Sequence, residues 1–186
     1  PRHSIGNWSK RFLQWLGEVE MSTEYGRKTL DLHIERFVRL RAMLLQETRA
    51  IREISRSEPF AEPLRLLMTV PGIGITTGLM EINDIARFKN ADQLAAYIGL
   101  IPMCHSNGEK EGIGDITIRK HAMLRCYLVE AAWLSIRKDP AMTIAYEEYR
   151  KRMNGNKAIV KIARKLVNRI FFVLKRRQEY VPGVVQ

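Results

Sequence analysis

The stretch from Gly26 to Ser57 limits the fold of this chain more than any other segment, because its apolar residues repeat with helical spacing. Most lie three, four or seven positions apart, and they are Leu30, Ile34, Phe37, Leu44 and Ile51. Two polar residues, Arg41 and Thr48, fill the remaining positions of this seam. The spacing predicts one long helix, which either pairs with a second helix as a coiled coil or packs within its own domain.

The rest of the chain is also predicted to be helical. A short amphipathic helix lies between Trp8 and Val19, and the triplet from Ser57 to Pro59 ends the long helix, so we divide the chain into residues 1–59 and 60–186. Further helices are predicted over 63–69, 75–82, 91–97, 120–137, 140 to about 154, and 156–180. The sequence therefore predicts a mainly α protein, in which a long coiled-coil-like helix precedes a small helical domain.

Positive charge is concentrated at one end of the chain. Lys and Arg number 31 against 20 Asp and Glu, which gives a net charge of +11, and residues 156–186 alone hold eight basic residues and one acidic residue. This balance favours a polyanionic partner, and nucleic acid is the first candidate. The predicted phosphate-binding residues of the last helix, 156–180, are Lys157, Lys161, Arg164 and Lys165. The alternative is an ordinary solvated helix face.

A helix-hairpin-helix motif is predicted over residues 64–82. Gly72 and Gly74 interrupt the segment between two short helices, and glycine allows the sharp turn that such a motif needs. The first amides of the second helix are then free to meet a phosphate oxygen, which the helix dipole also favours. The alternative is a corner between two helices that binds no ligand.

Several classes of protein are excluded. The two cysteines are 22 positions apart, and no spacing typical of a metal site, a nucleotide-binding loop or a dinucleotide fingerprint occurs, so we predict no metal ion within this chain. No apolar run is long enough to cross a membrane, and no signal segment or disulfide framework is evident, which predicts a cytoplasmic protein. Because the chain begins with Pro1, we expect a fragment of a longer protein.

The segment from 103 to 117 is rich in glycine and is predicted to be an irregular loop, the kind of segment that often carries function. It belongs to an ordered series of motifs over residues 60–180. The motifs are Thr69-Val-Pro-Gly-Ile-Gly74, Arg87-Phe88, Leu94-Ala-Ala-Tyr97, Gly99-Leu-Ile-Pro102, Ser106-Asn-Gly108, Gly114-Asp-Ile-Thr117 and Leu124-Arg125. This series resembles one family, the insertion-sequence one-ten transposases, which include the pilin-gene-inverting recombinases.

The resemblance implies that this chain is the C-terminal transposase domain. The whole protein would also carry a RuvC-like nuclease domain, whose four acidic residues hold a divalent metal such as Mg²⁺, and a coiled-coil segment. A serine of the transposase domain attacks a DNA phosphodiester and holds the strand covalently, and in some members a structured RNA encoded by the element selects the DNA. The partners implied are therefore DNA, such an RNA, and a second copy of the chain through the long helix.

Ser106 is the candidate nucleophile that the resemblance implies. The family usually places serine directly before the glycine, where this chain has Asn107, so either Ser106 acts through a one-residue shift or the nucleophile has been lost. The Gly-Asn pair that usually follows is replaced by Lys120 and His121. Arg119, Lys120 and Arg125 are predicted to hold the scissile phosphate as charge-assisted donors, against the alternative of a solvated helix start. The rival function is a DNA-binding and oligomerisation module without catalysis.

Overall fold

The protein is mainly α-helical, as the sequence predicts. The computed structural model describes residues 8–79, 85–107, 110–116 and 121–183. The helices in these ranges are α1 (Lys10–Glu18), α2 (Glu24–Ile54), α3 (Ala61–Leu67), α4 (Ile75–Leu79), α5 (Ala91–Ile98), α6 (Ala122–Lys138), α7 (Pro140–Arg150) and α8 (Gly155–Arg176), with a 3-10 turn at Ile85–Arg87. Two strands, β1 (Pro102–Asn107) and β2 (Lys110–Ile116), lie between α5 and α6.

The chain forms two compact units, residues 1–50 and 51–186. In the first unit the ring of Trp8 stacks on Phe37 of α2, with centroids 4.7 Å apart. Arg27 donates to the carbonyl oxygens of Leu16 and Val19, both at 3.0 Å. The last carbonyls of a helix have no partner within that helix, so Arg27 supplies the donor that the end of α1 needs.

Helix α2 has no buried residue. Its predicted seam is half-buried at Leu30, Ile34 and Phe37, where α1 lies nearby in the chain. The second half of the helix is open: Leu40 is 57% exposed, Leu44 66% and Leu45 54%. The long helix is therefore present, whereas its pairing with a second helix stays a prediction.

The core of the second unit forms around α8, which contacts α3, α5, α6 and α7. The apolar residues of α8 recur every three or four positions, and this stripe is fully enclosed at Ile162, Leu166 and Ile170. Facing residues are Leu94 and Ile98 of α5, Leu124 and Leu128 of α6, and Met142 of α7, all buried. Each such side chain contributes about 1.5–3 kcal/mol on leaving water, so α8 is fixed in its orientation by its apolar side.

The prediction of an irregular loop over 103–117 is wrong for residues 103–107 and 110–116, where strands β1 and β2 pair as an antiparallel ribbon. Ser106 is opposite Glu111, and Asn107 is opposite Lys110. The glycines suggested irregular backbone, but the ladder is made by main-chain groups and does not depend on side chains. The signal that was missed is Asn107-Gly108, a dipeptide that favours the tight turn of a hairpin.

Candidate nucleic-acid interface

Three lysines form one exposed row on α8. Lys157, Lys161 and Lys165 follow each other at intervals of four residues, which places them about 6 Å apart along the helix axis. The apolar stripe of the same helix packs into the core, so the row points away from the interior. The structure thus places three of the four predicted phosphate-binding residues of this helix together at the surface.

The end of α7 extends this row. The guanidinium of Arg150 lies 3.0 Å from the position that a Cβ atom would take at Gly155, so it sits against the first turn of α8. The ammonium of Lys161 lies 5.5 Å from the centre of the Tyr149 ring on α7, within the range of a cation–π contact. Arg152 follows in the turn and is exposed. We call the five residues of this patch the basic surface: Arg150, Arg152, Lys157, Lys161 and Lys165.

Acidic residues are missing from this part of the sequence. Residues 149–165 contain seven Lys and Arg and no Asp or Glu. Among the described residues, Lys151 pairs with Glu148 at 2.5 Å and Arg164 pairs with Asp92, whereas none of the five residues of the basic surface forms an ion pair. Glu148 and Asp92 therefore pair with other cations and do not neutralise the charge of the basic surface.

Arg150 and Arg152 were not predicted from the sequence as binding residues. Summed by segment, they fall in the nearly neutral middle of the chain, residues 61–155. The signal that was available is their position just before Asn154, the N-cap of α8, because a short turn brings the end of one helix to the start of the next.

Two other predicted phosphate-binding residues make contacts inside the domain. The side chain of Arg164 is 25% exposed and pairs with Asp92 in the first turn of α5. Arg125 is half-buried and donates to the carbonyl oxygen of Gly99, the C-cap of α5, at 3.2 Å. Both arginines thus hold α5 in place, and their contact with DNA stays a prediction.

The predicted glycine turn is packed against α6. Gly72 has φ +87°, and a Cβ atom there would lie 2.7 Å from the Cα of Ala131. Ser135, one turn further along α6, donates to the carbonyl oxygen of Pro71 at 3.1 Å. Gly74 differs, because a Cβ atom at that position would meet open space. Helices α3 and α4 flank the turn as predicted, Gly72 is required by packing, and phosphate binding by this motif stays a prediction.

The hairpin carries the candidate nucleophile. Ser106 lies near the end of β1 and Asn107 is its last residue. Arg119 and Lys120 lie outside the described residues.

A cluster of aromatic rings and one cation lies at the start of α6, and the sequence did not predict this cluster. His121 is the N-cap of α6, and its Nδ1 accepts from the backbone N–H of Leu124 at 3.1 Å. The rings of His121 and Tyr97 are 6.2 Å apart. The guanidinium of Arg87 lies 4.7 Å from the ring centres of both Tyr97 and Phe88. A cation and aromatic rings therefore stand beside the helix that follows the hairpin.

The described part of the chain contains no group of three His, Cys, Asp or Glu side chains that could hold a metal ion. Within the same residues, no helix has the length and apolar character needed to cross a membrane.

A family model and several curated relatives that match this chain are described as transposases. Residues 64–147 match the description "Transposase IS116/IS110/IS902 family". The chain is 32% identical over 129 residues to the transposase for insertion sequence element IS1111A of Coxiella burnetii, covering 66% of this chain and 35% of that protein. It is 32% identical to the putative transposase y4qE of Sinorhizobium fredii, covering 68% of this chain and 30% of that protein. A probable family 20 transposase of Pseudomonas aeruginosa is 28% identical, with 64% and 38% covered.

The chain spans about a third of the length of these relatives. The matched region extends from α3 into α7 and includes the glycine turn, the hairpin and α6. These are the same segments whose motifs suggested the family from the sequence. On this evidence the chain is similar, over residues 64–147, to the IS116/IS110/IS902 family of transposases.

Proposed function

We propose that this chain is the DNA-binding C-terminal part of a transposase and that it contacts the DNA backbone through the basic surface. The observation that carries the proposal is the group of five exposed cations on α7, on α8 and in the turn between them, with which no acidic residue forms an ion pair within the described chain. Duplex DNA carries about one negative charge per 1.7 Å of axis, so a row of cations about 6 Å apart meets phosphates along its whole length.

Salt dependence tests this proposal. Each phosphate that a cation neutralises releases condensed counterions, so the logarithm of the binding constant falls with the logarithm of salt concentration by about 0.9 per contact. Replacing Lys157, Lys161 and Lys165 together by Gln should weaken binding on any sequence and reduce this slope by about 3. Fluorescence anisotropy with a duplex at several salt concentrations measures both quantities.

A matched control removes the same charge elsewhere. Arg36, Arg49 and Arg52 are exposed on α2 and form no ion pair among the described residues. Replacing these three by Gln lowers the net charge equally but should leave the slope near that of the unmodified chain. Equal slopes for the two triple variants would reject the basic surface as the site of phosphate contact.

The catalytic part of the proposal concerns Ser106. Its hydroxyl oxygen attacks the phosphorus and gives up its proton, the bond from phosphorus to the departing strand breaks, and the departing oxygen takes up a proton. The phosphoserine ester keeps the bond energy, so the strand is rejoined without ATP. Arg119, Lys120 and Arg125 are the proposed donors to the phosphate.

A second copy of the chain is the partner that we propose for α2. Leu40, Met43, Leu44 and Leu45 are each more than half exposed along the second half of this helix. Apolar seams of this kind associate in water as coiled coils. Leu44→Glu should convert a dimer into a monomer in sedimentation velocity, whereas Arg49→Glu, a change on the same helix outside the seam, should not.

An RNA encoded by the element is a further proposed partner. Its competition with the DNA duplex for binding to the chain tests this proposal.

A further inference from the structure

A buried carboxylate lies where α6 ends and α7 begins. Asp139 is fully buried, and one of its oxygens accepts from the backbone N–H groups of Ala141 and Gly183, each at 2.9 Å. Its other oxygen accepts from Arg169 at 2.8 Å and from the hydroxyl of Tyr180. The four donors belong to α7, to α8 and to the segment after α8, so one side chain joins three parts of the domain.

The segment after α8 reaches a third helix. We call residues 178–183 the C-terminal strap. The backbone N–H of Tyr180 donates to the hydroxyl oxygen of Thr69 at 2.9 Å, and that hydroxyl donates to the carbonyl oxygen of Leu66, at the end of α3, at 2.6 Å. Arg169 also donates to the hydroxyl oxygen of Tyr180 at 2.8 Å. The strap is therefore held both by Asp139 and by the start of the glycine turn.

Asp139 also limits how far the row of exposed cations extends along α8. Arg169 is the next residue at the four-residue spacing after Lys165, but its side chain is only 16% exposed because it is turned towards Asp139. Asp139 is at the same time the N-cap of α7, the helix whose other end carries Arg150. Both helices of the basic surface are thus anchored at the same carboxylate.

We infer that Asp139 is a positioning residue for the basic surface, which fixes α7 against α8 through Arg169 and Tyr180 without contacting DNA itself. The inference rests on the proposed function, since it assigns a role in holding that surface. An isolated buried carboxylate is costly, and this one is retained with all its hydrogen bonds satisfied. The basic surface binds DNA tightly only if the spacing of its cations is kept.

Asp139→Asn separates positioning from charge. Asparagine keeps the shape and can still cap α7, but it removes one negative charge and so raises the net charge of +11 by one. Charge alone predicts tighter binding to DNA, whereas loss of positioning predicts weaker binding. We expect the dissociation constant to rise by about threefold to tenfold, the equivalent of one buried hydrogen bond. Tyr180→Phe, which changes no charge, should shift it in the same direction.

The control is Glu179→Gln. This residue lies in the strap, and its carboxylate pairs with Arg65 at the surface, away from Asp139. The change removes the same charge, so binding should stay equal or tighten slightly. An Asp139→Asn variant that binds as tightly as Glu179→Gln would overturn the inference. Should circular dichroism show that Asp139→Asn does not fold, an unchanged dissociation constant for Tyr180→Phe overturns it instead.

Hydrogen exchange distinguishes failure of this inference from failure of the proposed function. The proposed function has failed if the unmodified chain does not bind DNA. It has also failed if the triple Gln variant of Lys157, Lys161 and Lys165 binds DNA with the same affinity and salt dependence as the unmodified chain. The amides of residues 150–157 and 178–183 should still exchange faster in Asp139→Asn than in Glu179→Gln. Equal exchange in the two variants rejects positioning by Asp139, whatever the DNA result.

Discussion

The hydroxyl of Tyr180 donates a hydrogen bond to the carboxylate of Asp139, a residue 41 positions earlier in the chain. Neither residue belongs to a motif that the sequence made prominent, yet the contact closes the last described segment onto the corner between α6 and α7. The C-terminal strap is therefore bound to that corner through one buried carboxylate.

Acid should weaken the domain through Asp139. Burial by itself raises the pKa of this carboxyl, but hydrogen bonds from Tyr180, Gly183 and Ala141, together with the charge of Arg169, outweigh burial and hold the pKa below the ordinary 3.8. A lowered pKa in the folded state contributes stability above the unfolded value, and this is lost as the pH falls through the folded value. Urea unfolding between pH 7 and pH 3 should show a steeper loss for the unmodified chain than for Asp139→Asn. Parallel curves would contradict this assignment.

Gly72→Ala should destabilise the protein by about 2 kcal/mol or more, because the new Cβ meets the backbone of Ala131 and φ is positive. Gly74→Ala is the matched control, since a Cβ there meets open space, and its effect should stay within about 0.5 kcal/mol. Chemical denaturation of the two variants measures the difference. Similar midpoints would show that the turn moves away from α6 at little cost.

His121→Ala should cost about 1 kcal/mol of stability, the usual effect of removing an N-cap. His121→Asn should restore most of it, because the asparagine oxygen accepts the same backbone N–H. The free energies of unfolding of the two variants in urea test the cap. A His121→Ala variant as stable as the unmodified chain would show that the imidazole does not cap α6.

Ser106→Ala should abolish strand transfer by the full-length protein and leave DNA affinity unchanged. A DNA-peptide adduct found by mass spectrometry at Ser106 in the unmodified protein would establish the nucleophile. Transfer that persists in Ser106→Ala rejects the role. An adduct that forms only in Asn107→Ser would show that the chain has lost the family's serine and acts as a DNA-binding module.

Helices were predicted well because their apolar spacing is carried within each segment. The periodicity around Ile162 and Leu166 in α8, and around Leu30 and Ile34 in α2, marks the helix and the side that packs. The hairpin was missed because its glycines obscure the alternation of a strand. Pairing between strands is a contact between segments, which local periodicity does not report.

The site was predicted in part. The lysine row was found because its spacing lies within one helix, whereas Arg150 needs the turn between α7 and α8 to be known. Arg164 and Arg125 were assigned to phosphate because their type and position suited it, but their partners, Asp92 and Gly99, are distant in the sequence. Whether an arginine faces solvent or a neighbouring helix is decided by tertiary packing.

The arrangement at the start of α8 has a thermodynamic consequence. The first turn of this helix contains no acidic residue, Lys157 lies within it, and Arg150 rests against Gly155. Each cation near this positive end of the helix dipole costs about 0.3–1 kcal/mol at low ionic strength. Repulsion between these cations and the start of α8 therefore destabilises the unbound domain. Inorganic phosphate should reduce this repulsion and raise the melting temperature. We expect a bound polyanion to relieve this repulsion, so part of the free energy of binding would come from the repulsion already present in the unbound domain.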